Sequence, residues 1–420
     1  MESFNAATPK NIAVIGNYLP RRCGIATFTT DLTEALVTAF PDATLRVVAM
    51  NDIAEGYAYP SRVARTIPQQ DRAAYGATAT WLNDEGVDLV LVQHEYGIFG
   101  GSAGDYLLDL LRAVRAPIVT TCHTVLRQPD AEQRRTLTEI ARLSSQIVVM
   151  SRLGVELLQS VYGIAAEKIM LIHHGIPDVP LGGGAEAKAA LGLTGRDVLL
   201  TFGLLSAGKG IETVIRALPS VVAAHPQAMY LVVGATHPHV KAHEGERYRE
   251  GLVALAEELG VAANVSFVDR FVEMDDLVGY IRAADIYLTP YPGKEQITSG
   301  ALAYTVGAGK AVISTPYSYA TELLAGGRGL LVPFGDADGF ARAMLELLDD
   351  PAARAAIERR AYRFGRQMTW PAVARRYGGC FTAALRDALR IAPRPRVYAA
   401  HFHAAEAPTV AASGVEAALS

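Results

Sequence analysis

One alternation, run through twice, constrains this chain more than any other feature of its sequence. Short apolar runs that stop at glycine or polar residues alternate with longer segments whose apolar positions recur at helical spacing. The first run is Asn11-Ile12-Ala13-Val14-Ile15-Gly16, continuous enough to be buried on both faces, as strands of a parallel sheet are. A helix over 27–40 follows, with Phe28, Leu32, Leu36 and Phe40 on one stripe. Strands are then expected at 45–50, 87–93, 118–121, 146–150 and 169–172. Helices are expected at 73–85, 106–114, 131–143 and 152–162. Strands alternating with helices predict a parallel sheet covered on both sides.

Between 175 and 196 the rhythm breaks at Pro177, Pro180 and the triplet Gly182-Gly183-Gly184, a composition suited to a hinge. It then restarts. Strands are expected at 197–202, 228–233, 265–268, 286–289 and 311–314, with helices at 210–225, 247–259, 274–283, 300–307, 336–349 and 352–362. A length of 420 residues suits two α/β domains of roughly 150–200 residues each. The expected organisation is a first Rossmann-like domain over 1–176 and a linker over 177–197. A second Rossmann-like domain covers 198–369, and a helix over 370–390 crosses back to the first. An Ala- and Pro-rich tail over 391–420 is expected to be disordered. Two such doubly wound sheets face each other across a cleft, with ligands beyond the carboxyl ends of the strands.

Bulk properties narrow the function. A net charge of -4 argues against nucleic acid held by overall charge. Cys23, Cys122 and Cys380 are far apart in the sequence, which speaks against a disulfide framework or structural zinc and for a reducing compartment. No apolar stretch approaches the about 20 residues that cross a bilayer. A cytoplasmic protein is expected, with peripheral contact at the inner membrane face left open.

Five loops, each at a strand's carboxyl end, carry candidate chemistry. After the first strand come Arg22 and Gly24, where glycine permits close backbone approach and a helix start favours an anion. His94, Glu95 and Tyr96 follow the strand at 87–93 and offer hydrogen bonds to an acceptor. His123 ends the strand at 118–121 and can meet a hydroxyl or shape a reacting centre. Lys209 follows a glycine-rich turn and precedes a helix, a recipe for diphosphate without P-loop spacing. Lys294, Glu295, Gln296, Thr298, Ser299 and Gly300 join a strand to a helix, with Ser299 or Thr298 also placed to cap it. A solvated surface lysine, a capped turn and an edge histidine are the structural alternatives.

Together these segments resemble glycosyltransferase family 4, of the two-domain GT-B architecture. The likeness is carried by Gly24-Ile25-Ala26-Thr27-Phe28, Val148-Val149-Met150-Ser151, His174-Gly175-Ile176, Phe202-Gly203 through Lys209-Gly210, and Val232-Val233-Gly234. Further on it is carried by 283–290, 309–315 and 329–333. The resemblance implies a hexosyltransferase of glucose or mannose type that takes a nucleotide-diphosphate sugar to a glycan or lipid-linked acceptor. No metal or other cofactor is implied. It places Gly24 near the donor phosphates, Lys209 on the pyrophosphate, His123 before the reacting sugar, and 295–301 around the donor sugar and phosphates. His123, Lys209 and Glu295 would be catalytic. Gly24, Lys294, Gln296, Thr298, Ser299 and Gly300 would bind donor, and Arg22, His94, Glu95 and Tyr96 acceptor.

The chain departs from the family pattern at three positions. Leu204 stands where an arginine is usual, and Gln296 and Tyr304 stand where two glutamates are usual when Gly309 is the anchor. Glu295 is one residue out of register with the first of them. These departures also admit a phosphate-dependent glycan phosphorylase on the same fold, or an inactive nucleotide-sugar-binding protein.

Overall fold

The computed structural model describes residues 8–391. Seven strands form the first sheet: β1 (Asn11–Gly16), β2 (Thr44–Asn51), β3 (Val63–Pro68), β4 (Leu89–His94), β5 (Ile118–Cys122), β6 (Gln146–Val149) and β7 (Ile169–Leu171). They are parallel and ordered β3-β2-β1-β4-β5-β6-β7. Six form the second: β8 (Asp197–Phe202), β9 (Ala228–Val233), β10 (Val265–Val268), β11 (Ile286–Thr289), β12 (Ala311–Ser314) and β13 (Leu330–Leu331). These too are parallel, ordered β10-β9-β8-β11-β12-β13. Each sheet reverses its order once, between β1 and β4 and between β8 and β11, and a crevice opens at such a reversal.

Strand alternation sends successive side chains to opposite faces. Ile12 and Val14 pack against Phe28, Leu32 and Leu36 of the helix Gly24–Ala39. Ala13 and Ile15 pack against Tyr75, Ala79 and Leu82 of the helix Arg72–Asp84. The second sheet is covered the same way, by Val214, Leu218, Phe340 and Met344 on one face and Leu302, Val306 and Tyr319 on the other. Each large apolar side chain buried in this way contributes about 1.5–3 kcal/mol.

The chain crosses between the sheets twice, and the two crossings are bonded to each other. Ile176 N–H donates to the Met368 carbonyl and Trp370 N–H to the Ile176 carbonyl, both at 2.9 Å. The helix Trp370–Ile391 then lies on the first sheet's face, burying Trp370, Val373, Tyr377 and Phe381 against it. Tyr377 and Thr121 hydroxyls meet at 2.7 Å. The disordered tail expected over 391–420 falls, beyond Ile391, outside the described residues, as does the start of the chain before Thr8.

Several elements differ from expectation. β3 was not foreseen because, at the sheet edge, Ile67 alone of its residues is fully buried and the strand includes Arg65 and Thr66, so the apolar signal is weak. The glycine triplet does not remain open linker: Gly183 starts a helix, Gly184–Ala190, on which Lys188 pairs with Asp285 at 2.6 Å. Short helices at Pro238–Glu244 and Ser318–Leu323 were also missed. They offer too few turns to show a periodicity. The first helix begins at Gly24 rather than 27, because Cys23 Sγ accepts from Ala26 N–H and sets the start earlier.

Candidate active site

The two carboxyl edges enclose a cavity of about 990 Å³. From the first domain it is lined by Gly24, Phe28, Asp31, Glu95, His123 and Arg127, and from the second by Lys209, Tyr291, Glu295, Gln296, Thr298 and Tyr304, among others. All five loops singled out in the sequence reach this crevice with at least one residue, because each leaves the carboxyl end of a strand beside or near a reversal point.

Lys209 closes a 3₁₀ turn, Ala207–Lys209, after β8. Its Nζ donates to the Tyr291 hydroxyl at 2.9 Å and sits 4.6 Å from that ring's centroid. Gly203, at φ 122°, bends the chain beneath the lysine in a conformation that other residues rarely adopt. Burial pushes the Tyr291 phenol up, but the Lys209 charge and hydrogen bond outweigh it and leave the phenol below its ordinary value. The aromatic ring and hydroxyl hold the lysine head group in place at the cavity wall.

Ser299 caps the helix Gly300–Gly307, its Oγ accepting from Leu302 N–H at 3.3 Å. The first helical N–H groups behind it, at Gly300 and Ala301, belong to residues that line the cavity, a position that favours an anion. Thr298 Oγ1 is buried there without a bonded partner. Gln296 lines the cavity, its amide donating to the Thr298 carbonyl at 2.9 Å. Glu295 reaches Arg127 of the opposite domain at 3.3 Å, an exposed pair that contributes little stability. The helix Gly24–Ala39 adds a second N-terminus from the first domain.

His123 is 9 % exposed, and one ring nitrogen meets Gln93 Oε1 at 3.0 Å. Burial, helped by His174 and His94, lowers its pKa to about 3, so the imidazole is neutral at ordinary pH. Phe28 fixes it edge-on at 4.7 Å and also touches His174 at 5.0 Å and Trp370 at 5.3 Å. Glu95 accepts from Thr124 Oγ1 at 2.6 Å and Tyr96 N–H at 3.0 Å. Burial raises its pKa, which those hydrogen bonds offset in part.

Five expected site residues stand outside the cavity lining, Ser299 among them, its hydroxyl taken by the helix cap. His94 is fully buried between the rings of Tyr96 and Phe99, and Tyr96 directs its hydroxyl toward Tyr162 and the Gln133 carbonyl. Neither faces the cavity, because strand β4 carries His94 inward and the turn after Glu95 folds Tyr96 back on the first domain. Arg22 is exposed and stacks at 5.6 Å over Phe271 of the other domain, at the rim. Lys294 is exposed outside the lining; its backbone carbonyl, rather than its ammonium, is engaged, by Ser318. Reading the sequence missed Asp31, Arg127 and Phe271. The signal for Asp31 was an acid three residues past Phe28, on the helix's buried side.

Two facing Rossmann-like domains with this crevice between them form the GT-B architecture. Residues 23–178 match the family described as Glycosyltransferase Family 4, and residues 185–364 match Glycosyl transferases group 1. The chain belongs to glycosyltransferase family 4. It is 25 % identical over 368 residues to a GDP-mannose-dependent monoacylated alpha-(1-6)-phosphatidylinositol monomannoside mannosyltransferase of Corynebacterium glutamicum, covering 84 % of this chain and 92 % of that protein. It is 28 % identical over 281 residues to a phosphatidyl-myo-inositol mannosyltransferase of Mycolicibacterium smegmatis, covering 63 % and 64 %. Among solved structures, a sucrose-phosphate synthase from Thermosynechococcus elongatus matches with a TM-score of 0.72 at 21 % identity, over 90 % of this chain and 100 % of that one. Anabaena HepE in complex with UDP matches at 0.70 and 17 %, over 89 % and 100 %.

Proposed function

We propose that this enzyme transfers a hexosyl group of mannose or glucose type from a nucleotide-diphosphate sugar to a hydroxyl of a glycan or lipid-linked acceptor. The observation that carries the reading is the convergence of Lys209, the start of the helix Gly300–Gly307 and the start of the helix Gly24–Ala39 on one cavity. Lys209 from the second domain and one helix start from each domain face the place a diphosphate would occupy. Lys209 and the helix amides stabilise the departing diphosphate, where each well-placed donor is worth about 2.7–4 kcal/mol. On this reading no metal or other cofactor takes part. Glu295, Gln296 and Thr298 hold the donor sugar, and neutral His123 presents a hydrogen bond to it rather than a charge. Glu95, with Arg22 at the rim, meets the acceptor. Domain closure excludes water and protects the donor from hydrolysis.

The relatives that act on phosphatidylinositol species support a lipid-linked acceptor and contact with the inner membrane face. Among the described residues no helix is long and apolar enough to cross a bilayer. The test is transfer from radiolabelled GDP-mannose and UDP-glucose to a panel of free glycans and lipid-linked acceptors, alongside thermal shift with each nucleotide. A ligand at a hundred times its Kd adds about 2.7 kcal/mol of stability. Stabilisation with transfer supports the reading. Binding without transfer to any acceptor marks an inactive binder, and release of sugar phosphate from a disaccharide with free phosphate marks a phosphorylase.

A further inference from the structure

Asp31 sits in the second turn of the helix Gly24–Ala39, three residues past Phe28 and therefore on the same side. It lines the cleft cavity, yet one of its carboxyl oxygens is buried with no bonded partner. Tyr304, from the opposite domain, and the indole N–H of Trp370 are both turned toward this carboxyl, short of good hydrogen-bonding geometry. The Trp370 N–H is itself buried without a partner. Leaving such groups unmet costs about 1–3 kcal/mol each, and the Asp31 side chain, which lines the cavity while Trp370 stands behind it, is the one of the two that a ligand can reach. A hydroxyl is the group that donates to a carboxylate there. Burial raises the Asp31 pKa to about 6, with Trp370 and Tyr304 holding it down in part. The carboxylate is therefore ionised at neutral pH and ready to accept.

Position 304 adds a second line of argument. The resemblance expects a carboxylate there, on the second domain's helix Gly300–Gly307, and the chain has tyrosine instead. The carboxylate facing that position comes from the first domain. We infer that Asp31 is a ligand-reading residue of this enzyme: its carboxylate accepts hydroxyls of a sugar ring in the donor, replacing from the first domain the acid absent at 304. This rests on the transferase reading above. It has a consequence for the order of events. A donor held by Lys209 on one domain and read by Asp31 on the other binds tightly only when the domains are together.

Two sugar rings of a nucleotide sugar carry suitable hydroxyls, the ribose and the transferred hexose. The experiment measures, by calorimetry at pH 7.5, binding of inorganic pyrophosphate, GDP, UDP, GDP-mannose and UDP-glucose to the wild-type chain, Asp31→Asn and the double variant Asp31→Asn/Tyr304→Glu. Asp31→Asn preserves shape and removes the charge, and its circular dichroism and urea midpoint check the fold. The expected result is at least tenfold weaker nucleotide binding in Asp31→Asn with unchanged pyrophosphate binding, and partial recovery in the double variant. Loss already with GDP or UDP assigns the ribose; loss only with the nucleotide sugars assigns the hexose. Equal affinity of wild type and Asp31→Asn for every nucleotide overturns the assignment, as does an equal loss for pyrophosphate, which would make Asp31 a structural acid only. If the wild-type chain binds no nucleotide at all, the transferase reading itself falls and this inference with it.

Discussion

Lys209 and Tyr291 form a pair in which the ammonium donates to the phenol oxygen at 2.9 Å while standing 4.6 Å from the centre of the same ring. Tyr291 is 3 % exposed, stacks on Tyr317 at 5.0 Å and has its carbonyl bonded by Thr315 Oγ1 at 2.6 Å. The lysine is thus tied to a rigid support. Lys209→Ala is expected to lower kcat by about a hundredfold or more with the fold intact. Tyr291→Phe keeps the ring and loses the hydroxyl, so its expected loss is smaller and falls on kcat more than on KM. Steady-state kinetics on folded variants checks both, and unchanged turnover in Lys209→Ala would refute the lysine's role.

Glu295 and Glu322 offer a contrast between two carboxylates. Glu295 lines the cavity and is largely exposed. Glu322 accepts from Arg152 N–H at 2.8 and 3.0 Å, capping the other domain's helix Arg152–Ser160. Glu295→Ala should lower turnover more than Glu322→Ala, whereas Glu322→Ala should cost more stability, about 0.5–2 kcal/mol as for other lost helix caps. Turnover rates and urea midpoints of the two variants decide it, and the reverse order in turnover would show that Glu295 is the wrong carboxylate.

Three buried histidines set a pH dependence of stability. His94 and His174 are lowered by burial to about 4, and His123 to about 3, from an ordinary 6.5. The unfolded chain therefore binds more protons than the fold between about pH 6.5 and 3, so stability is full above that window and falls as pH drops through it. Each tenfold difference in proton affinity is worth about 1.4 kcal/mol. Asp31, raised to about 6, acts in the opposite sense, since its protonated form is favoured in the fold and its contribution is lost as pH rises through 6. Glu95, Glu322 and Glu358, also raised by burial, act in the same sense as Asp31, whereas His173, lowered by burial, and Glu139 and Glu246, lowered by their hydrogen bonds, add to the loss at low pH; the large histidine shifts leave a net loss as pH falls. A urea midpoint that stays constant between pH 7 and pH 4.5 would contradict this.

Gly175 packs where the two interdomain crossings meet. A Cβ there would come within 2.1 Å of the Trp370 ring, so Gly175→Ala must displace Trp370 from its place beside Phe28 and His174. The expected cost is about 1–3 kcal/mol, with a shift in Trp370 fluorescence. A variant with wild-type stability and emission would show that the seam between the domains can give way.

Much of this protein was legible before folding. The apolar runs at β1, β4 and β8 and the helical stripe through Phe28, Leu32 and Leu36 carry their periods in local sequence, and a parallel doubly wound sheet follows from them. The loops that would meet a ligand were legible for the same reason, since strand ends decide which face of the sheet they leave. The direction of each side chain within those loops was not. His94 and Glu95 are neighbours, yet one is sealed in the first domain and the other lines the cavity, a difference set by where β4 ends. Edge strand β3 and the short helices escaped notice because their signals are weak or brief.

The sequence by itself determined which segments are strands and helices and where the chain breaks between two units, since those depend on contacts close along the chain. Only the tertiary structure decided that Asp31 faces Tyr304, that Tyr291 holds Lys209, and that Trp370 returns to lie against Phe28. These pairs join residues 273, 82 and 342 positions apart. No local pattern encodes such a meeting; it arises when two sheets bury their faces and the crossings between them fix how the edges confront each other.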